Sequence, residues 1–471
     1  MKKTMLLLFG SLSLIAAQVA VTDFEGVNEY LCLDMDNLDN YANQTLPVHY
    51  NNNVFNTFDN TPASNPITDK GATLGRVLFY DKQLSINNST ACASCHAQTL
   101  GFTDTAILSI GFDGIGLTDK HSMRLGNTRF YPDSAMFWDK RAANVETQST
   151  QPIQNEVEMG YDAVHGGMGA VINKMNTLPY YPELFEFVYG DTVITEARIQ
   201  LALAQFVRSI MSVNSKFDAG FAQVFAPQPG GNVAADFPNF TASENRGKTL
   251  FLNAPNNGGA GCAGCHSVPT FGLVANTRGN GLDAGETTVF KSPSLKNIGL
   301  YGPYMHDGRF ATLAEVVEHY NSGVQVGPAT DPKLLTPPGP GGPQALQLNL
   351  TNQDKADLVA FLNTLTDSVV ISDAKFSDPF CKTPTSITMV AQNLQFSVFP
   401  NPVNGMATVQ YTNVGKQQYN LYLTDLSGKT VWQQTDNSGN ASLNTDGLSS
   451  GLYLLVIEGN GAKETKKVMV Q

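Results

Sequence analysis

Two periodicities divide the chain. Over residues 195–211 the apolar positions Ile199, Leu203, Phe206, Val207 and Ile210 recur at the helical interval, which predicts a helix with one buried face. The same pattern predicts helices over 313–320 and 352–365, the second with Thr351 as its N-cap. Helices are also expected at 72–81 (ATLGRVLFYD) and 244–253 (ENRGKTLFLN), which share Gly-x-x-Leu-Phe as an internal repeat. Prolines and glycines at 227–231 and 337–343 mark loops. Towards the C-terminus the period changes from helical to two. Runs at 407–411, 419–424, 430–434, 452–458 and 466–470 alternate between turn signals at Ser427-Gly428, Asn437-Ser438-Gly439 and Gly459-Asn460-Gly461. They predict a small antiparallel β-sandwich. The expected fold is mainly α, followed by a small all-β sandwich.

The N-terminus has a different character. Met1-Lys2-Lys3 leads into an apolar run from Met5 to Ala17, the form of a secretory signal peptide with cleavage after Ala17 or Ala20. A membrane anchor is the competing reading, and the run is short for one. No later run reaches the ~18 apolar residues of a membrane span, so no transmembrane segment is expected in the mature chain. The 471 residues hold about three domains of ordinary size. Lys and Arg number 29 against 41 Asp and Glu, a net charge of −12, which argues against a nucleic-acid partner. A hydrophobic fraction of 42% can fill real cores.

The six cysteines change the picture most. Four form Cys92-Ala93-Ser94-Cys95-His96 and Cys262-Ala263-Gly264-Cys265-His266, each the C-x-x-C-H signature of c-type haem attachment. Two thiols add to the haem vinyl groups, and the adjoining imidazole binds iron. Zinc ligation and a thioredoxin-like pair are the alternatives, and neither needs the histidine twice. The expectation is two covalent haems, attached through Cys92, Cys95, Cys262 and Cys265, with His96 and His266 as iron ligands. Cys32 and Cys381 remain. In an oxidising compartment they either pair or stand as two free thiols.

From about Asn65 to Asp367 the sequence resembles the bacterial dihaem cytochrome c peroxidase family, including its MauG branch. Beyond the haem motifs the resemblance rests on Phe137-Trp138-Asp139-Lys140-Arg141, Gln151-Pro152-Ile153, Val157-Glu158-Met159, Pro303-Tyr304-Met305-His306-Asp307-Gly308 and Leu358-Val359-Ala360-Phe361-Leu362. The resemblance implies that one haem reacts with hydrogen peroxide and the other stores or passes electrons. It places Trp138 between the haems and makes Glu158 the carboxylate that moves a proton during O–O cleavage. Glu156 and Glu146 compete for that role. Gln148 and Pro152 match pocket residues of the MauG branch. His306 would organise the haem edge.

The sequence departs from the family at three places. Where the peroxidases carry a loop histidine over the first haem, Phe112 and Asp113 stand here, and His121 is the nearest histidine. On the second haem Tyr320 replaces the usual methionine, as in the MauG branch, with His319 and Met305 as other candidate iron ligands. The family holds one Ca²⁺ between its domains; here His121 stands in register with the calcium-binding asparagine, and the carbonyls of Tyr301 and Pro303 are the donors left. An imidazole suits that hard cation poorly.

The tail resembles a second family. Phe399-Pro400-Asn401-Pro402, Leu423-Thr424-Asp425-Leu426-Ser427-Gly428-Lys429 and Gly451-Leu452-Tyr453 match the C-terminal sorting domain of the type IX secretion system. That implies a Bacteroidota-type bacterium and export to the periplasm, the cell surface or beyond; an ordinary binding module is the alternative. The expected layout is a signal peptide (1–20), an N-terminal extension (21–64), a peroxidatic haem domain (65–215), an electron-transfer haem domain (216–385) and a sorting sandwich (390–471). The activity implied is peroxide reduction, with electrons from a small cytochrome or a cupredoxin. A MauG-like oxidase and a non-enzymatic dihaem cytochrome are the alternatives. His49 and His165 read as ordinary surface or loop residues.

Overall fold

Gly75 and Gly247 explain the repeat. Helix Asp69–Tyr80 crosses helix Glu196–Ser209, and helix Ala242–Leu252 crosses Asn352–Asn363. At each crossing the motif glycine meets backbone. A Cβ on Gly75 would lie 2.1 Å from the Ala202 carbonyl oxygen, and one on Gly247 1.9 Å from that of Asp357. Only glycine permits so close an approach. The Leu-Phe that follows sends Phe79 and Phe251 into the cores beside each motif, both at 2% exposure or less. Threonine side chains start all four helices: Thr68, Thr195, Thr241 and Thr351 accept backbone N–H bonds as N-caps.

The computed structural model describes residues 24–132, 135–228, 230–274, 276–291, 293–381, 396–411, 418–426, 428–459 and 462–471. The expected signal peptide and the turn residues Ser427, Asn460 and Gly461 lie outside them. The chain forms two compact units, Met1–Phe380 and Cys381–Gln471. Both haem motifs belong to the first.

The helical content is lower than expected. Helix of all kinds amounts to 31% of the described residues, so the first unit is helical at its crossings and loop-built around them. With 42 glycines and 24 prolines the chain is often interrupted, and side chains close its turns. Asp81 and Asn155, for example, accept the main-chain N–H two residues on. The helix predicted at 313–320 runs only from Leu313 to Glu318 and continues as a π-turn, His319–Gly323. Asn321 holds that turn open: its Nδ2 donates to Glu318 and its Oδ1 accepts from Leu350 N–H.

The extension before the first haem region is packed down. Glu183 accepts from the N–H groups of Gly26 and Val27 at 2.9 and 2.8 Å, which seats helix Glu25–Tyr30 on helix Tyr180–Tyr189. Leu31 bridges Phe380 in antiparallel fashion, and Cys32 and Cys381 are disulfide-bonded. His49 departs from its reading as a surface residue. It is 1% exposed, and its Nε2 faces Asp218 at 3.2 Å, beside the Lys296–Asp218 ion pair at 2.5 Å. His165 is exposed and pairs with Asp162.

The second unit has seven described strands in two antiparallel sheets. One holds Phe396–Phe399, Met406–Tyr411 and Asn440–Asn444; the other holds Thr430–Asp436, Tyr419–Thr424, Gly451–Gly459 and Ala462–Val470. Val409 and Leu443 from the first sheet share a core with Leu421, Leu455, Ile457 and Val468 from the second, as in a sandwich. Strands 396–399 and 440–444 were not expected. The latter, NASLN, points only Ala441 and Leu443 inward, too weak an alternation to read.

Candidate haem centres

The two motifs present their histidines alike. Cys92–Cys95 form one helical turn and Cys262–Gly264 a 3-10 turn, so each cysteine pair sits on one compact bend. His96 Nδ1 lies 3.2 Å from the carbonyl oxygen of Phe102, and His266 Nδ1 lies 3.2 Å from that of Phe271. Both phenylalanines adopt left-handed backbone angles, φ 60° and 54°, and both rings are buried. A carbonyl at Nδ1 requires the proton there and leaves Nε2 as the ligand nitrogen. Ser122 Oγ adds a contact 3.1 Å from His96 Nδ1. Burial pushes both imidazoles down to about 4, against the pull of the carbonyls, which keeps them in the neutral, metal-binding form.

Around the second motif the fold leaves a cavity of about 570 Å³, lined by Cys262, Cys265, His266, Met305, His306 and Tyr320 among mostly apolar neighbours. Cofactor pockets run from roughly 300 to 1,000 Å³. A thioether pair, one free imidazole nitrogen and an apolar slot are what a c-type haem requires. The π-turn carries Tyr320 to this cavity. Burial raises its phenol, and Cys265 and Cys262 add to the effect. The two alternative ligands are engaged by one residue. His319 Nε2 faces the Asn280 carbonyl at 3.0 Å, and Asn280 Nδ2 donates to Met305 Sδ at 3.2 Å.

Trp138 sits at the junction of the two haem regions. Its indole N–H donates to the His121 carbonyl at 2.7 Å, and His121 N–H donates to the His306 carbonyl at 2.8 Å. The His306 ring stacks on Phe290 at 3.8 Å and meets Trp138 edge-on at 6.4 Å. Trp138, His121 and His306 all line the cavity. Backbone and ring contacts through Trp138, His121 and His306 therefore join the segment after the first motif to the rim of the second.

The three candidate carboxylates are separated by their partners. Glu146 is held by Arg208 at 2.6 and 2.9 Å and by Asn65 at 2.9 Å. Glu156 is exposed. Glu158 is half-buried, and its carboxyl has no hydrogen bond or ion pair among the described residues. Burial raises its pKa, opposed by Arg141 and assisted by Asp119, and its charge reaches both Cys92 and Cys95. Asn155 Oδ1 accepts from the N–H of Val157 and Glu158 at 2.8 and 3.0 Å, fixing the turn that presents this side chain. Gln148 lies half-buried on the short helix Val145–Ser149. Phe112 and Asp113 occupy a hairpin whose Phe112 N–H donates to the Val157 carbonyl, while Asp113 caps Ile115 and Gly116.

The calcium expectation does not fit the residues present. The Tyr301 carbonyl accepts from the Arg124 guanidinium, which is 5% exposed and stands 5.6 Å over the Tyr304 ring. His121 Nδ1 faces the carbonyls of Ala106 and Ile107 at 3.0 and 3.2 Å. A fixed cation already occupies one of the two carbonyls a metal would need.

Comparisons with known proteins assign both haem-motif regions to a family. The family model for di-haem cytochrome c peroxidase matches residues 69–223, and that for cytochrome c matches 244–366. The methylamine utilization protein MauG of Methylophilus methylotrophus is 31% identical over 64% of this chain and 84% of its own length. The chain belongs to the dihaem cytochrome c peroxidase and MauG family. Cytochrome c551 peroxidase of Nitrosomonas europaea is 32% identical over 52% of this chain and 71% of its own length. A crystal structure of a MauG-like protein associated with microbial copper homeostasis superposes with a TM-score of 0.55 at 27% identity, covering 72% of this chain and 99% of that one. The tail matches the secretion system C-terminal sorting domain over 397–471. Among the described residues no helix is long and apolar enough to cross a membrane.

Residues at the haem centres without a reading of their own in the sequence include the turn residues Phe102 and Phe271, and also Ser122, Arg124 and Asn280. The first two had a signal, an aromatic beside glycine five or six positions after each motif histidine. Asn280 had none.

Proposed function

We propose that this is an exported dihaem peroxidase that reduces H₂O₂ to water at the centre on His96, with electrons arriving through the centre on His266. The observation that carries the reading is Glu158, a half-buried carboxyl with no hydrogen bond or ion pair among the described residues, a raised pKa and a charge that reaches Cys92 and Cys95. Haem, when bound, supplies the redox-active iron. Glu158 would move a proton from one peroxide oxygen to the other, the work of a general acid–base. Carbonyls at Nδ1 hold His96 and His266 in the ligand tautomer. Trp138 lies on the contact path between the centres, and His306 braces it. Gln148 would border the peroxide pocket. A small exported cytochrome or a cupredoxin fits the donor role.

Tyr320 favours a second reading. A tyrosine at the cavity of the second centre suits iron in its ferric and higher states, as a MauG-like oxidase of an organic or protein substrate would need. Turnover decides. The peroxidase reading expects H₂O₂-dependent oxidation of reduced cytochrome c by the holoenzyme; oxidation of organic substrates without it supports the oxidase. Two low-spin haems that stay closed to peroxide on reduction would leave only an electron-transfer cytochrome.

A further inference from the structure

Away from the Trp138 path, three tyrosines form a line from the first haem motif to the surface. Tyr181 is fully buried in the core cluster against which Cys92 packs, and burial and the Asp81 charge raise its phenol, with Cys92 contributing. Its ring lies 4.7 Å from that of Tyr180, which is 2% exposed, and Tyr180 lies 5.5 Å from Tyr30, which is 42% exposed. Such separations are aromatic contact distances. Asp81 Oδ2 accepts from both inner phenols, at 2.6 Å from Tyr181 and 2.8 Å from Tyr180, while Oδ1 accepts from Gln83 N–H. Tyr30 is positioned for this line: Glu183 anchors its helix by the Gly26 and Val27 N–H groups, and a Cβ on Gly26 would collide with Pro179 at 2.7 Å.

Buried phenols need an acceptor, and Asp81 provides one. That need does not explain why the line continues through ring contacts to an exposed tyrosine on a separate segment. We propose that Tyr181, Tyr180 and Tyr30 carry electrons from the surface to the haem on Cys92 and Cys95, making Tyr30 an oxidation site for a small phenolic reductant. The proposal rests on the peroxide reaction described above. Tyr181 gives one electron to the peroxide-oxidised centre, and its proton crosses to Asp81 Oδ2. Tyr180 then reduces Tyr181, which recovers its proton from Asp81 while Tyr180 gives its own to the same oxygen. Tyr30 reduces Tyr180, which recovers its proton from Asp81, and Tyr30 releases its proton to water. The external phenol transfers one hydrogen atom to Tyr30, so that the donor O–H breaks, the Tyr30 O–H re-forms and a phenoxyl radical leaves. Two such passes supply both electrons for one peroxide, and the protons released to water are consumed there.

The test treats the full-length holoprotein with H₂O₂ and a nitroso spin trap, then maps the adduct by peptide mass spectrometry. The haem optical spectrum is recorded on the same sample. The expected result is an adduct on Tyr30 that disappears in Tyr30→Phe and also in Tyr181→Phe, where Tyr30 is still present. Addition of p-cresol should suppress the adduct and yield its coupled dimer. Peroxide consumption with a haem response but no adduct on Tyr30 overturns the proposal and leaves the peroxidase reading standing. An adduct that survives on Tyr30 in Tyr181→Phe overturns the route. No response of the haem spectrum and no peroxide consumption overturn both.

Discussion

The indole N–H of Trp138 donates to the main-chain carbonyl of His121 at 2.7 Å. A carbonyl accepts the bond but does not take the proton, so an electron can cross this indole without proton release. Trp138→Phe keeps an aromatic ring and loses the bond. The expected stability cost is about 0.5–1.5 kcal/mol, that of one hydrogen bond. Electron exchange between the haems, followed by stopped-flow after one is reduced, should slow; an unchanged rate would show that electrons bypass Trp138.

Glu158 carries the second prediction. General acid–base assistance is worth about 10²–10⁴ in rate, and Glu158→Gln should slow the peroxide reaction by that order while leaving the resting haem spectra as they are. Stability should move the other way. Burial raises this carboxyl, so the folded state prefers it protonated. Its contribution is fully present below the ordinary glutamate pKa and is lost as pH rises through the raised value. Glutamine stays neutral throughout. At neutral pH the variant should unfold at the same or a higher denaturant concentration than the parent, and a lower midpoint there would contradict the assigned burial.

Much of this was legible in the sequence, for definite reasons. The helices showed because their buried faces repeat, and the candidate haem centres because the attachment signature sets Cys92, Cys95 and His96 in one order. Glu158 showed only through its motif; the sequence could not say that Glu146 was taken by Arg208. The π-turn that delivers Tyr320 depends on Asn321 reaching Glu318 and Leu350, contacts with no period. His49 was misread because a lone polar residue carries no sign of a buried partner more than a hundred residues away. Arg124 stayed unseen for the same reason, and with it the misfit of calcium.

Calcium gives the third prediction. Arg124 holds the Tyr301 carbonyl, and burial lowers its guanidinium only to about 10, so it remains a cation at neutral pH. Chelation of the purified holoprotein should change neither its melting temperature nor its haem spectra, and titration with Ca²⁺ should give no saturable binding heat. Arg124→Leu should cost about 1.5–3 kcal/mol, the range for a hydrogen bond to a charged group. A rise in melting temperature on adding Ca²⁺ to the unaltered protein would contradict this assignment.

The buried Lys296–Asp218–His49 cluster gives the last. Lys296 and Asp218 are 0% and 1% exposed, 2.5 Å apart. Burial pushes the Asp218 carboxyl up, but the Lys296 charge and the bonds from His49, Lys296 and Ser215 outweigh it and hold the group at about 2. A depressed carboxylate stabilises the fold above its ordinary pKa, and that stability is lost as pH falls towards the depressed value. The acid window of this cluster therefore runs from about 4 down to about 2. Lys296→Met removes one partner and strands the other in the interior, a change that costs about 3–5 kcal/mol. Denaturant unfolding at pH 7 should show that loss in full. The gap between variant and parent should narrow as pH falls through the window, because Asp218 then becomes neutral in both. A gap of the same size at every pH would show that packing around the lysine stem, and not its charge, holds this part of the fold.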